Sequence, residues 1–188
     1  NHITGHCKRL GWNYRQERSK KSYWTESHRE WLEARIKQCG NARITVNFRL
    51  LLAQYDKLKE TIELYDTEIE NMADEKPYKE KVSALVCYRG IDVSTAMTIA
   101  TEIGDDSRFD HPRRLTSFCG LDLREYSTGN KQIRFSISKN GNRHLRKAVI
   151  EASQFAFAPV RISKGLKERR RKCSEEQIQV ADRCMARL

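Results

Sequence analysis

The chain has 188 residues, 38% of them hydrophobic and 32% charged, with a formal net charge of +11, enough for one compact domain plus an extended, solvated helical element. A field of that sign favours polyanions, either nucleic acid or an acidic membrane face. No apolar run approaches the roughly 20 residues that span a bilayer, and no signal-peptide core opens the chain, so no membrane span is expected and the protein is read as cytoplasmic.

Residues 1–40 read as a basic aromatic connector, with Trp12, Tyr14, Tyr23, Trp24 and Trp31 among Lys and Arg. Such interleaving suits single-stranded nucleic acid through stacking plus charge, or packing against a neighbouring domain. Thr25 is placed to cap a helix beginning at Glu26, and CGNA at 39–42 breaks it. Residues 41–76 form the clearest pattern. Ile44, Phe48, Leu51, Tyr55, Leu58, Ile62, Tyr65, Ile69 and Met72 alternate by four and three, an a/d seam over about four heptads. A seam that narrow needs a partner helix. The 26–38 helix is too short to cover it, so pairing with a second subunit is expected, giving a homo-oligomer through a coiled coil.

Pro77 ends that helix, and residues 77–188 read as a compact helical domain. Within it, 82–104 predicts helix, tight turn, helix, with the spacing of a helix-hairpin-helix. Gly90 and Ile91 at the turn are candidates for backbone contact with a DNA phosphate. Asp92 stands where a second Gly is usual and is placed to cap the second helix; a plain αα-hairpin fits as well. Gly104 closes that helix, a short helix follows at 113–120, and a further helix is expected from Asn142 to Ala158. RISKGLKERRRKC reads as a basic connector, and Ser174 caps a last helix. The fold class is therefore mainly α, with at most a short β-hairpin around Gln132–Ile137.

The stretch YSTGNKQIRFSISKNGNRHLRKA, residues 126–148, carries the chemistry. Ser127 and Thr128 precede Gly129, so a hydroxyl is exposed on a flexible turn. An alcohol is a weak nucleophile without activation, and no His is adjacent. Lys131, Arg134, Lys139, Arg143 and Arg146 are placed to bind a phosphate and stabilise developing charge, and Asn142 opens a helix whose free N–H groups add an anion site. Residues alone leave two readings open, a nucleophilic hydroxyl or a phosphate-binding basic loop. Six cysteines show neither C-x-x-C nor zinc-finger spacing, so no metal site is expected in this chain. Cys87 and Cys119 read as small buried hydrophobes.

The run ALVCYRGIDVSTAMTIATEIGDDSRFDHPRRLTSFCGLDLREYSTGNKQIRFSISKNGNRHLRKAVIEAS resembles the C-terminal domain of IS110/IS116/IS902-type transposases. The resemblance rests on R-G-I-D-x-x-x-A, E-I-G-D, R-F, the G-L at 120–121, S-T-G, and I-S-K-x-G-N-x-x-L-R. It departs at Leu123, where the family commonly has a proline. YWTESHREWL and the heptad helix are similar to the family's connector and coiled coil. The resemblance implies an insertion-sequence DNA recombinase, guided by a structured RNA, whose serine forms a covalent link to DNA. Ser127 is then the implied nucleophile and Thr128 its alternative. It also implies an N-terminal RuvC-like domain with an Mg²⁺-binding acidic tetrad, which this chain lacks, so the chain alone is expected to be inactive. The alternative is a non-catalytic nucleic-acid-binding and dimerisation module.

Overall fold

A computed structural model of the chain describes residues 2–18, 22–128, 131–155 and 162–187, with the side chains of Arg18, Ser127, Gln132 and Arg134 outside the description. The described elements are α1 (His2–Arg9), α2 (Tyr14–Arg18), α3 (Glu26–Gln38), α4 (Ala42–Ala73), α5 (Lys79–Val86), α6 (Val93–Ile103), α7 (Pro112–Phe118), β1 (Leu123–Thr128), β2 (Lys131–Ile137), α8 (Arg143–Ser153), α9 (Lys164–Arg170) and α10 (Glu175–Met185). The architecture is mainly helical, as the sequence predicts, with one two-stranded antiparallel sheet. The chain divides into two compact units, residues 1–64 and 65–188, and the division falls within α4. No described helix is long and apolar enough to cross a membrane.

In the first unit the residues read as a connector build a core of their own. Ile3 and Cys7 of α1, Tyr14 of α2, Trp31, Leu32 and Ile36 of α3, and Phe48 and Leu52 of α4 are buried together. Trp12, Tyr23 and Trp24 pack against them. The aromatics are therefore core residues rather than a stacking surface for nucleic acid or a contact for a missing domain. Local chemistry sets the geometry. Thr25 Oγ1 accepts from His28 N and starts α3. His28 is buried, and its Nδ1 accepts from the backbone N of Trp24 at 3.3 Å, holding that residue at φ +65°. Burial keeps the His28 pKa below its usual value, because a charged imidazolium is penalised in an apolar surround. Trp31 Nε1 donates to Glu17 at 2.8 Å, and Arg29 forms a two-pronged pair with Asp56 of α4.

The a/d seam has a different partner along its first part than the sequence suggests. Ile44, Phe48, Leu51 and Tyr55 face the apolar cluster built by α1–α3, joined by Leu52, which lies off the predicted seam. Three helical turns of α3 suffice for that stretch. Beyond it Leu58, Ile62 and Tyr65 are exposed at 63%, 58% and 67%, while Ile69 packs in the second unit's core.

The second unit is organised by α5, α6 and α8. Val82, Val86, Ala96, Met97 and Ala100 form one cluster with Ala73; Ile99, Cys119, Leu145 and Ala148 form another. Asp92 caps α6 by accepting from Thr95 N at 2.8 Å, as its position predicts. Ser174 forms a full capping box with Gln177 at the start of α10. Two expectations are corrected. RISKGLKERRRKC is not a plain connector: α9 occupies its middle, started by Ser163 and anchored by buried Leu166 and Arg170. Arg170 donates to the Cys87 carbonyl from Nε and Nη2 and pairs with Asp182 at 2.6 Å. The helix opening at Asn142 ends at Ser153 rather than Ala158, the latter lying outside the described residues.

Candidate nucleic-acid interface

The hairpin β1–β2 rises from a tight crossing of two backbone segments. Phe118 O accepts from Asn142 N at 2.8 Å, Gly120 O accepts from Lys139 N at 3.0 Å, and the Asp122 carbonyl accepts from Ser138 N at 2.7 Å. A Cβ on Gly141 would sit 2.4 Å from Phe118 O and 2.6 Å from Gly120 N; one on Gly120 would sit 2.8 Å from Arg146 Nη1. Glycine at both positions lets the chains touch, which accounts physically for G-L at one end of the hairpin and K-x-G-N at the other. In the sequence these glycines stand only as landmarks within G-L and K-x-G-N, and nothing local pairs one with the other.

Two predicted phosphate ligands turn out to hold this crossing. Asn142 Oδ1 accepts from His144 N and Leu145 N at 3.0 Å, and Nδ2 donates to Glu102 of α6. The first N–H groups of α8 thus have a side-chain partner already. Arg146 Nη1 donates to the carbonyls of Cys119 and Lys139 at 2.9 and 3.3 Å. At the α5–α6 turn, Gly90 has φ +77°, and a Cβ there would meet Ala152 O and Phe155 at 2.7 Å. Ile91 packs against both apolar clusters. That turn is compatible with a helix-hairpin-helix, with one side packed against the end of α8 and α6 capped by a carboxylate.

The remaining candidates are on open surface. β1 and β2 pair through Tyr126↔Ile133, Ser127↔Gln132 and Thr128↔Lys131, with an irregularity between Leu123 and Glu125. Strand alternation puts Arg124, Tyr126 and Thr128 of β1 on one face with Lys131, Ile133 and Phe135 of β2, and all six are exposed. Lys139, at φ +57°, and Arg143 are exposed beside the hairpin base. Gly129 and the side chains of Ser127 and Arg134 lie outside the described residues. Chemically, the tip offers a hydroxyl opposite an ammonium, which suits a phosphodiester oxygen. A polar site of another kind is absent nearby: no three His, Cys, Asp or Glu side chains gather as a metal-binding group among the described residues. A cavity of about 680 Å³ in this unit, lined by apolar residues such as Val82 and Val86 together with charged ones such as Asp74, Arg169 and Lys172, contains none of the predicted site residues.

Residues 83–171, from α5 through α9, match the transposase IS116/IS110/IS902 family. This segment is similar to a transposase domain of that family. The chain is 37% identical over 107 residues to a putative transposase, y4qE, of Sinorhizobium fredii, covering 57% of this chain and 27% of that one. It is 33% identical over 94 residues to the transposase of insertion sequence IS1533 of Leptospira borgpetersenii, covering 47% and 27%. Identity to the IS1111A transposase of Coxiella burnetii is 31% over 109 residues, covering 56% and 29%. The matches thus span about a quarter of each relative's length. The matched segment contains the α5–α6 turn, the glycine crossing and the whole hairpin.

Proposed function

We propose that this chain is the part of an insertion-sequence transposase that holds a DNA strand against a hydroxyl at the hairpin tip. The observation that carries the reading is the exposed end of the hairpin, where Thr128 pairs with Lys131 beside Ser127 and the rigid glycine crossing fixes its root. Ser127 is the nucleophile and Thr128 its rival. Its oxygen forms a bond to phosphorus, the bridging phosphodiester oxygen leaves, and the hydroxyl proton passes to a base; the product is a phosphoserine link that a second strand's hydroxyl can resolve. Lys131, Arg134, Lys139 and Arg143 bind the phosphates and neutralise developing charge. Asn142 and Arg146 act through position. An Mg²⁺-binding acidic domain of the kind the family resemblance implies would activate the hydroxyl. A guide RNA selects the DNA, and the exposed stripe Leu58, Ile62, Tyr65 pairs protomers.

The test joins residues 1–188 to the acidic domain of a relative and incubates the protein with plasmid bearing element ends. A detergent-resistant protein–DNA adduct that disappears in Ser127→Ala is expected. An adduct that survives Ser127→Ala but not Thr128→Ala moves the role by one residue. Salt-sensitive DNA binding with no adduct under any condition supports the non-catalytic dimerisation module instead, a reading favoured by the uncovered stripe on α4.

A further inference from the structure

Two-stranded sheets are marginal in water unless one face is covered. Here the face bearing Tyr126, Ile133 and Phe135 is open: these side chains are 60%, 47% and 52% exposed. A grouped apolar surface of this kind marks an interaction site. Its other members decide the partner. Arg124 and Lys131 share the face, and no Asp or Glu does. From Gly120 to Lys147 the chain has seven Lys and Arg against two Asp and Glu. An apolar partner from a second copy of the chain would bring the same excess of positive charge and be repelled. The chemistry that joins flat apolar surfaces to dense negative charge is nucleic acid, whose bases expose their faces only when unpaired or unstacked.

We propose that Tyr126 and Phe135 are a stacking platform for unpaired DNA bases, with Ile133 between them and Arg124 and Lys131 on the flanking phosphates. The proposal rests on the reading that the hairpin meets DNA, and adds that it meets a strand already opened. Register supports the geometry. Tyr126 stands directly across from Ile133, and Phe135, two residues along β2, is its diagonal neighbour, about 7–8 Å away. Two successive bases of a single strand fit rings so placed. Stacking tolerates any sequence, because every base has a π-face, so the platform would secure an opened strand without selecting it.

The experiment is fluorescence anisotropy with the 188-residue chain and three labelled 15-mers of one sequence: single-stranded DNA, duplex DNA and single-stranded RNA. Single-stranded DNA is expected to bind several-fold tighter than duplex. Tyr126→Ala and Phe135→Ala should each lower single-strand affinity about tenfold and leave duplex affinity unchanged. Tyr126→Phe, which keeps the ring, should retain binding, whereas Lys131→Ala should weaken both DNA forms. Equal binding of both DNA forms, insensitive to the alanine substitutions, overturns the platform while leaving phosphate binding in place. Absence of binding to every probe overturns the DNA reading as well. Ring-dependent binding of RNA alone overturns the assignment to DNA. A change of oligomeric state in Tyr126→Ala by sedimentation, with affinity unchanged, assigns the face to a second copy and overturns it too.

Discussion

Gly141→Ala tests the idea that the hairpin is positioned by backbone contact. A Cβ at this position meets three backbone atoms, Phe118 O at 2.4 Å, Gly120 N at 2.6 Å and Cys119 C at 2.9 Å, so no side chain can swing away to relieve it. Overpacking of a rigid site costs about 1–3 kcal/mol. Separating the segments also stretches the hydrogen bonds from Asn142 N and Lys139 N that flank the glycine, worth about 1 kcal/mol each. The reduced freedom of the unfolded chain offsets about 0.4–1 kcal/mol. The net expectation is a loss of about 2–4 kcal/mol, or a melting temperature lower by about 8–16 °C at roughly 4 °C per kcal/mol. All three tryptophans, Trp12, Trp24 and Trp31, lie in the first unit, so far-UV circular dichroism in urea is the suitable readout. Gly165→Ala is the control. Its Cβ would find nothing nearer than Arg169 Nη1 at 3.8 Å on a helix, and it should stabilise by about 0.5–1 kcal/mol. If Gly141→Ala matches the wild type within about 0.5 kcal/mol, a scale at which surface changes ordinarily fall, the crossing does not position the hairpin.

Arg170→Ala should cost about 2–3 kcal/mol, because it strips the buried Cys87 carbonyl of two donors and Asp182 of its partner; faster proteolysis at α9–α10 would show it, and unchanged cleavage would count against the anchor. The stability of the first unit should fall as pH drops below about 6.5, since the unfolded chain protonates His28 while the buried ring resists. The slope is at most about 1.4 kcal/mol per pH unit and ends at the depressed folded-state pKa; tryptophan-monitored urea melts at pH 7.5 and 5.5 measure it, and His28→Asn should flatten it. For duplex DNA, the double substitution Lys131→Ala, Arg143→Ala should make the slope of log affinity against log salt shallower by about 1.8, at 0.9 per phosphate contact; an unchanged slope places the contacts elsewhere.

Features set by neighbours in sequence were readable from sequence. Thr25, Asp92 and Ser174 cap their helices because a short polar side chain before a helix satisfies its free N–H groups wherever it occurs. The seam on α4 was visible as period, but period does not name the partner: Phe48 is covered by helices of its own chain, while Leu58 and Ile62 are not. α9 was hidden because Leu166 is its lone apolar anchor among charges, and its order comes from Arg170 reaching a carbonyl 83 positions earlier. Aromatic residues mixed with cations fit both a core and a stacking surface; Tyr14 and Trp31 went to the first and Tyr126 and Phe135 stand open. Asn142 and Arg146 looked like ligands because their polar groups suit phosphate. Their partners, Glu102 and the carbonyls of Cys119 and Lys139, are distant enough in sequence to give no local hint.

The irregularity near the hairpin base has an arithmetic consequence at the tip. Leu123 pairs with Ile137, yet Glu125 pairs with Arg134, so β2 spends one residue more than β1 over that step. Had the base register run on unbroken, Tyr126 would face Arg134 and Thr128 would face Gln132. The extra residue instead sets Tyr126 across from Ile133 and Thr128 across from Lys131. One position of slippage near Ser136 thus separates a tip whose hydroxyl looks onto a cation from one whose hydroxyl looks onto an amide, and deleting that one residue would remove the irregularity while leaving Thr128 across from Lys131.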